Sequence, residues 1–160
     1  MADTTDLPED LRQIVIAAID QAAARNSSSA EAEDLLLAIA ASRSPVAGIL
    51  ASAGLGHEGI LRLLRAERER SLAALGIPPV DPEQLRATPR AVRPAWGASL
   101  RAALLRARQP GAGRRARRRL TTANVAAGVL LAGYGTVPRA LAYGGIDRDA
   151  LIGQLREVTR

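Results

Sequence analysis

The chain states one pattern twice, and a repeat constrains architecture more than any single motif does. Glu33-Asp34-Leu35-Leu36-Leu37-Ala38-Ile39 runs on to Leu50, Gly54-Leu55 and Leu64-Arg65. Ala123-Asn124-Val125-Ala126-Ala127-Gly128-Val129 runs on to Leu141, Gly145-Ile146 and Leu155-Arg156. Leu35 stands 90 positions before Val125, and Leu50 stands 91 before Leu141, so one extra residue falls in the turn over 132–138. Two copies of a helical unit that cannot bury its apolar face alone are expected to bury it against each other.

Composition narrows the class. The 160 residues include 48% hydrophobic side chains, enough for one core, yet there is no Phe, one Trp and two Tyr. Ala, Leu, Arg and Glu favour helix, and small Ala faces let helices approach closely. An all-α fold is therefore expected: a pseudo-twofold double repeat of two four-helix units in a single domain. Repeat one covers 7–75, a Pro-rich linker 76–93 and repeat two 94–158. The absence of Cys removes disulfide and thiol chemistry. No apolar run approaches the roughly 20 residues of a bilayer span, and the acidic start lacks a signal-peptide pattern. A cytoplasmic location with no membrane association is the expectation.

Cap and turn residues place the helices. Asp6 is the expected N-cap of a first helix, with Pro8, Glu9 and Asp10 in its first turn and an end near Arg25-Asn26. Ser28 and Glu31 have capping-box spacing before the second helix, which Ser42–Pro45 breaks. A short helix Val46–Ala53 stops at Gly54, and a fourth covers Ile60–Leu75. Pro94 suits the first position of a fifth helix ending at Gln109. Thr121 or Thr122 caps a sixth, Ala123–Ala132. Val137–Tyr143 forms a seventh, and Asp147 caps an eighth, Arg148–Val158. The lone large aromatic, Trp96, is expected to anchor the fifth helix on the core.

A helix reading Glu-x-Leu-Leu-Leu-Ala-Ile, then a short helix ending Leu-x-x-x-Gly-Leu, then a helix with Leu at spacing three, resembles the Clp repeat. That unit occurs twice in the N-terminal domains of Clp unfoldases of the ClpC and ClpA type. The resemblance spans about Leu7 to Val158. It implies a compact pseudo-twofold bundle of eight helices that docks adaptors and substrates for an ATP-driven ring and a peptidase. In the ClpC type it also implies phosphoarginine binding by the Glu of a Thr-Glu-His motif at the start of each repeat's second helix. Repeat one keeps that carboxylate as Glu33, with Ala32 and Asp34 in place of Thr and His. Repeat two keeps Thr122, with Ala123 and Asn124 in place of Glu and His. Glu33, Asp34, Thr121, Thr122 and Asn124 are thus the expected ligand- or substrate-binding residues.

Other chemistry has little support. Gly111-Ala112-Gly113 has no following Gly-Lys-Ser/Thr, and the chain contains no Lys, so a P-loop is excluded. One His and no Cys give no transition-metal cluster. His57, beside Glu58 with no nucleophile near, reads as a helix-start residue. Neither enzyme activity nor a cofactor is expected.

Charge is divided unevenly along the chain. Residues 1–80 hold 7 Arg and 11 acids, whereas residues 81–160 hold 15 Arg and 5 acids. Five Arg fall within six positions: Arg114, Arg115, Arg117, Arg118 and Arg119. Such a run can neutralise phosphates, so a small basic nucleic-acid-associated protein is the alternative reading. No aromatic interleaves with these Arg for stacking. The first reading is a non-catalytic protein-binding module, an adaptor, substrate receptor or decoy in Clp-dependent proteolysis, with Clp components or a protein substrate as partner.

Overall fold

The computed structural model describes residues 7–78, 93–108 and 120–158. Asp6, most of the Pro-rich linker and the Arg114–Arg119 run lie outside these residues. Eight helices are present among them: α1 (Glu9–Ala24), α2 (Ala32–Ala41), α3 (Pro45–Ser52), α4 (His57–Ala74), α5 (Ala98–Arg108), α6 (Thr122–Leu130), α7 (Thr136–Tyr143) and α8 (Arg148–Glu157). Among the described residues the fold is all-α apart from two strands of two residues each, β1 (Ser29–Ala30) and β2 (Ala95–Trp96).

Burial follows the apolar periodicity. α1 turns Leu11, Ile14, Val15, Ala18, Ile19 and Ala22 inward, a stripe at helical spacing. α2 and α6 are different. Ala32 and the whole run 34–39 of α2 are buried, as is every residue of α6 except Asn124. Helices apolar on all sides belong in a core, and the other six wrap around this pair. α1 packs on α2 and α5 on α6; α4 and α8 lie against α2 and α6 in the same order. α4 also meets α7, and α3 meets α8. Gly128 permits a close crossing of α5 and α6, because a Cβ there would run into the Ala103 carbonyl oxygen of α5.

α3 and α7 stop alike. Gly54 (φ 77°) and Gly145 (φ 66°) take left-handed backbone just past each helix, a conformation that costs a residue with Cβ energy. Leu55 N–H then donates to the Leu50 carbonyl at 2.8 Å, and Ile146 N–H to the Leu141 carbonyl at 3.0 Å. This is the Schellman closure, which satisfies carbonyls that would otherwise be orphaned. Thr121 and Asp147 cap α6 and α8 as their sequence positions suggested, accepting from the Asn124 and Ala150 amides.

Three local expectations are corrected. Pro8, not Asp6, occupies the N-cap position of α1, with no side-chain cap. Ser28 does not cap α2: Glu31 is the N-cap residue, and Asp34 three positions on accepts from its amide at 2.9 Å. Pro94 does not start α5, which begins at Ala98. Instead Ala95-Trp96 pairs in parallel with Ser29-Ala30, the Ala95 amide donating to Ser28 and the Gly97 amide to Ala30. Trp96 packs against the core from this strand and not from the fifth helix. No single helix among the described residues is long and apolar enough to cross a membrane.

Candidate functional site

The strand pair sets the starts of α2 and α5 side by side, and there the two helices cap each other. The Glu31 carboxylate accepts from the Ser99 amide at 3.1 Å and from the Ser99 hydroxyl at 2.5 Å. The same hydroxyl accepts from the Ala32 amide at 2.8 Å. Each side chain thus satisfies an amide at the other helix's N-terminus, where four N–H groups have no intrahelical partner. Ser29 donates a further hydrogen bond to Glu31 at 2.8 Å. Burial by itself raises the Glu31 carboxyl, but the bonds from Ser99 and Ser29 and the charge of Arg101 together hold it below its ordinary value.

Glu33 and Asp34 follow in the first turn of α2. Asp34 is wholly buried. One of its oxygens takes the Glu31 amide and the other pairs with the Arg25 guanidinium. Burial pushes its carboxyl up, against the opposing pull of the Glu31 amide and Arg25. The other arm of Arg25 reaches Glu33 at 3.1 Å. Arg25 is the residue just beyond α1, brought there because α1 ends in a left-handed turn at Asn26 (φ 56°). Glu33, the carboxylate that the resemblance assigns to an incoming guanidinium, and Asp34 beside it therefore already hold one from the chain itself.

Glu33 also lines a cavity of about 460 Å³. Its walls are the start of α2, the face of α5 carrying Ser99, Ala102 and Arg106, and the α6–α7 loop with Tyr134. Tyr134 is 96% exposed at the rim. Arg106 is tied by its Nε to the Gly128 carbonyl at 2.7 Å.

Thr121, Thr122 and Asn124 stand at the start of α6. Thr121 accepts from the Asn124 amide at 3.2 Å and donates to the Asn124 side-chain oxygen at 2.8 Å, so Thr121 is the cap and Asn124 its partner. Thr121 and Thr122 line a second, larger cavity of about 660 Å³. Its other walls are α1, through Asp10, Ile14 and Ala17, and the α2–α3 loop, through Ser42, Arg43 and Ser44. Glu33 and the threonines thus belong to different cavities. Sequence reasoning missed the parts that Arg25, Ser99, Arg43 and Arg106 play here, and placed Glu31 as the capping-box partner of Ser28 rather than as the N-cap. Only Glu31 carried a local signal, a second acid three residues before Asp34; the rest reach their places through tertiary packing.

His57 is the first residue of α4, with Nδ1 3.6 Å from the Glu58 carboxylate. Among the described residues no group of three or more His, Asp or Glu side chains is placed to hold a metal ion. No family model matches the chain, and no curated protein matches it either.

Proposed function

We propose that this chain is a non-catalytic protein-binding module built like the N-terminal domain of a Clp unfoldase. It would serve as adaptor, substrate receptor or decoy in Clp-dependent proteolysis. The observation that carries the reading is the likeness of the two cavities. The smaller joins the start of α2 to α5 and the α6–α7 loop. The larger joins the start of α6 to α1 and the α2–α3 loop. Exchanging residues 7–75 for residues 94–158 turns one description into the other. The same exchange relates the paired packing of α1 on α2 and α5 on α6, of α3 on α8 and α7 on α4, and the twin closures at Gly54 and Gly145. These correspondences support a pseudo-twofold double repeat with two landing sites for polypeptide.

Each cavity offers apolar wall and a few polar groups, the usual make-up of a binding site. The carboxylate of Glu33 in the smaller one supports recognition of arginine-bearing segments. An incoming guanidinium would compete there with Arg25 for that carboxylate.

Fluorescence anisotropy of fluorescein-labelled casein, an unfolded polypeptide, tests binding directly. Saturable binding is expected, and a flat titration contradicts the reading. Added to a Clp ATPase and peptidase degrading the same casein, the chain should raise the rate as an adaptor or lower it as a decoy. An unchanged rate contradicts any Clp-linked role.

A further inference from the structure

The two helix starts differ in one respect that bears on ligand class. At α2 the chain fills its own N-terminus: Ser99 takes the Ala32 amide, and Glu33 and Asp34 place negative charge in the first turn. At α6 there is no acid in the first turn. Thr121 takes only the Asn124 amide, and among the described residues nothing accepts from the Thr122 and Ala123 amides. Thr122 is only 8% exposed, yet its hydroxyl has no hydrogen-bond partner among the described residues. Among the described residues no enclosed side-chain oxygen or nitrogen lacks a partner, so that hydroxyl is not sealed in the core, and Thr122 is one of the residues lining the larger cavity. A polar side chain this deep normally has a partner. Across the cavity Arg43 is exposed and makes no ion pair among the described residues.

Open amides at a helix N-terminus, a free hydroxyl and a guanidinium on one cavity are the parts of an anion site. Most of the remaining wall is apolar, with Ile14, Ala17 and Val46 on it, although Gln13, Gln21, Ser42 and Ser44 also line it. Asp10, also on the wall, disfavours a ligand with a second negative charge. Resting on the protein-binding reading above, the geometry points to the α6 cavity as a receptor for the carboxyl terminus of a polypeptide ending in an apolar residue. The terminal carboxylate meets Thr122, the α6 amides and Arg43, and the last side chain lies on Ile14 and Val46. A carboxylate carries one charge, whereas a phosphate carries nearly two at neutral pH, so Asp10 selects the former.

The test uses a fluorescein-labelled pentapeptide ending in two leucines, as free acid and as amide, titrated by anisotropy against the full chain. The free acid should bind about tenfold more tightly, the scale of one charge-assisted hydrogen bond. Arg43→Gln and Thr122→Val should each remove most of that difference, whereas Arg62→Gln, the same charge change on the exposed face of α4, should not. Arg43 is exposed, and its variant is expected to keep the wild-type circular dichroism and melting temperature. Equal binding of acid and amide, or tighter binding of a phosphoserine-bearing amide, overturns the inference. If casein binds and the pentapeptide does not, the inference fails and the protein-binding reading survives. If neither binds, both fail.

Discussion

Glu31 and Ser99, 68 positions apart in the chain, cap each other's helices. The Glu31 carboxylate holds the first turn of α5, and the Ser99 hydroxyl holds the first turn of α2. A local device, the N-cap, thereby becomes a tertiary clasp between the two halves.

Loss of the clasp should be measurable and non-additive. Ser99→Ala removes a cap from α2 and a donor to Glu31, and should cost about 1 kcal/mol, as cap removals do. Glu31→Gln should cost a comparable amount. The double variant should cost clearly less than the sum, because both remove the same contact. Urea unfolding of the four proteins measures this coupling, and strict additivity would mean that the two residues act independently.

Acid should loosen the same clasp. Hydrogen bonding holds the Glu31 carboxyl below its ordinary value in the fold. Its contribution is then complete above the unfolded-state value and is lost as pH falls through the folded-state value. Asp34 has the opposite sign: its carboxyl is raised by burial, so its effect favours the fold as pH falls from the raised value through the ordinary one. Glu31→Gln should flatten the loss of stability on acidification, and Asp34→Asn should steepen it. Melting temperatures measured from neutral pH into the carboxylate range give both slopes.

Arg25 holds one buried and one accessible carboxylate, and the two should not weigh equally. Arg25→Ala leaves Asp34 buried with only the Glu31 amide, at a cost of about 1–3 kcal/mol. Glu33→Gln removes a partner that water can replace and should cost under about 1 kcal/mol. If chemical denaturation finds the order reversed, Asp34 is not the residue that Arg25 serves.

Gly128 sets how closely α5 approaches α6. A Cβ there would meet the Ala103 carbonyl, which is backbone and cannot turn away. Gly128→Ala should therefore destabilise by about 1–3 kcal/mol, the cost of overpacking, although Ala is the better helix former. A stabilised variant in thermal melts would contradict the close crossing.

These relationships mark where reading the sequence succeeds. Helical period and caps indicated the eight helices found among the described residues, and Thr121, Asp147 and Gly54 do what their positions suggest, because each acts within a few residues of itself. Pro94 and Ser28 misled for one reason. Each looked like a local start signal, but Ser29-Ala30 pairs with Ala95-Trp96, a long-range contact that local patterning does not register. Glu31 could cap either as an N-cap or as the third residue after Ser28, and Ser99 on α5 decides between them. The place of Glu33 and Asp34 at a helix start was legible, but not their occupation by Arg25, which depends on how α1 ends. The depth of Thr122 was hidden too, since burial of a Thr in a first turn depends on what packs over it.

The most direct test of the protein-binding account fills the two cavities. Ala17 lines the larger and Ala102 the smaller, each half-buried on a helix face. Ala17→Trp and Ala102→Trp put an indole into each space, and circular dichroism should show the helices unchanged. In anisotropy titrations with labelled casein, each variant should weaken binding by about tenfold, a hot-spot-scale loss, and the double variant should nearly abolish it. A folded double variant that binds casein as tightly as the parent would show that the polypeptide lands elsewhere.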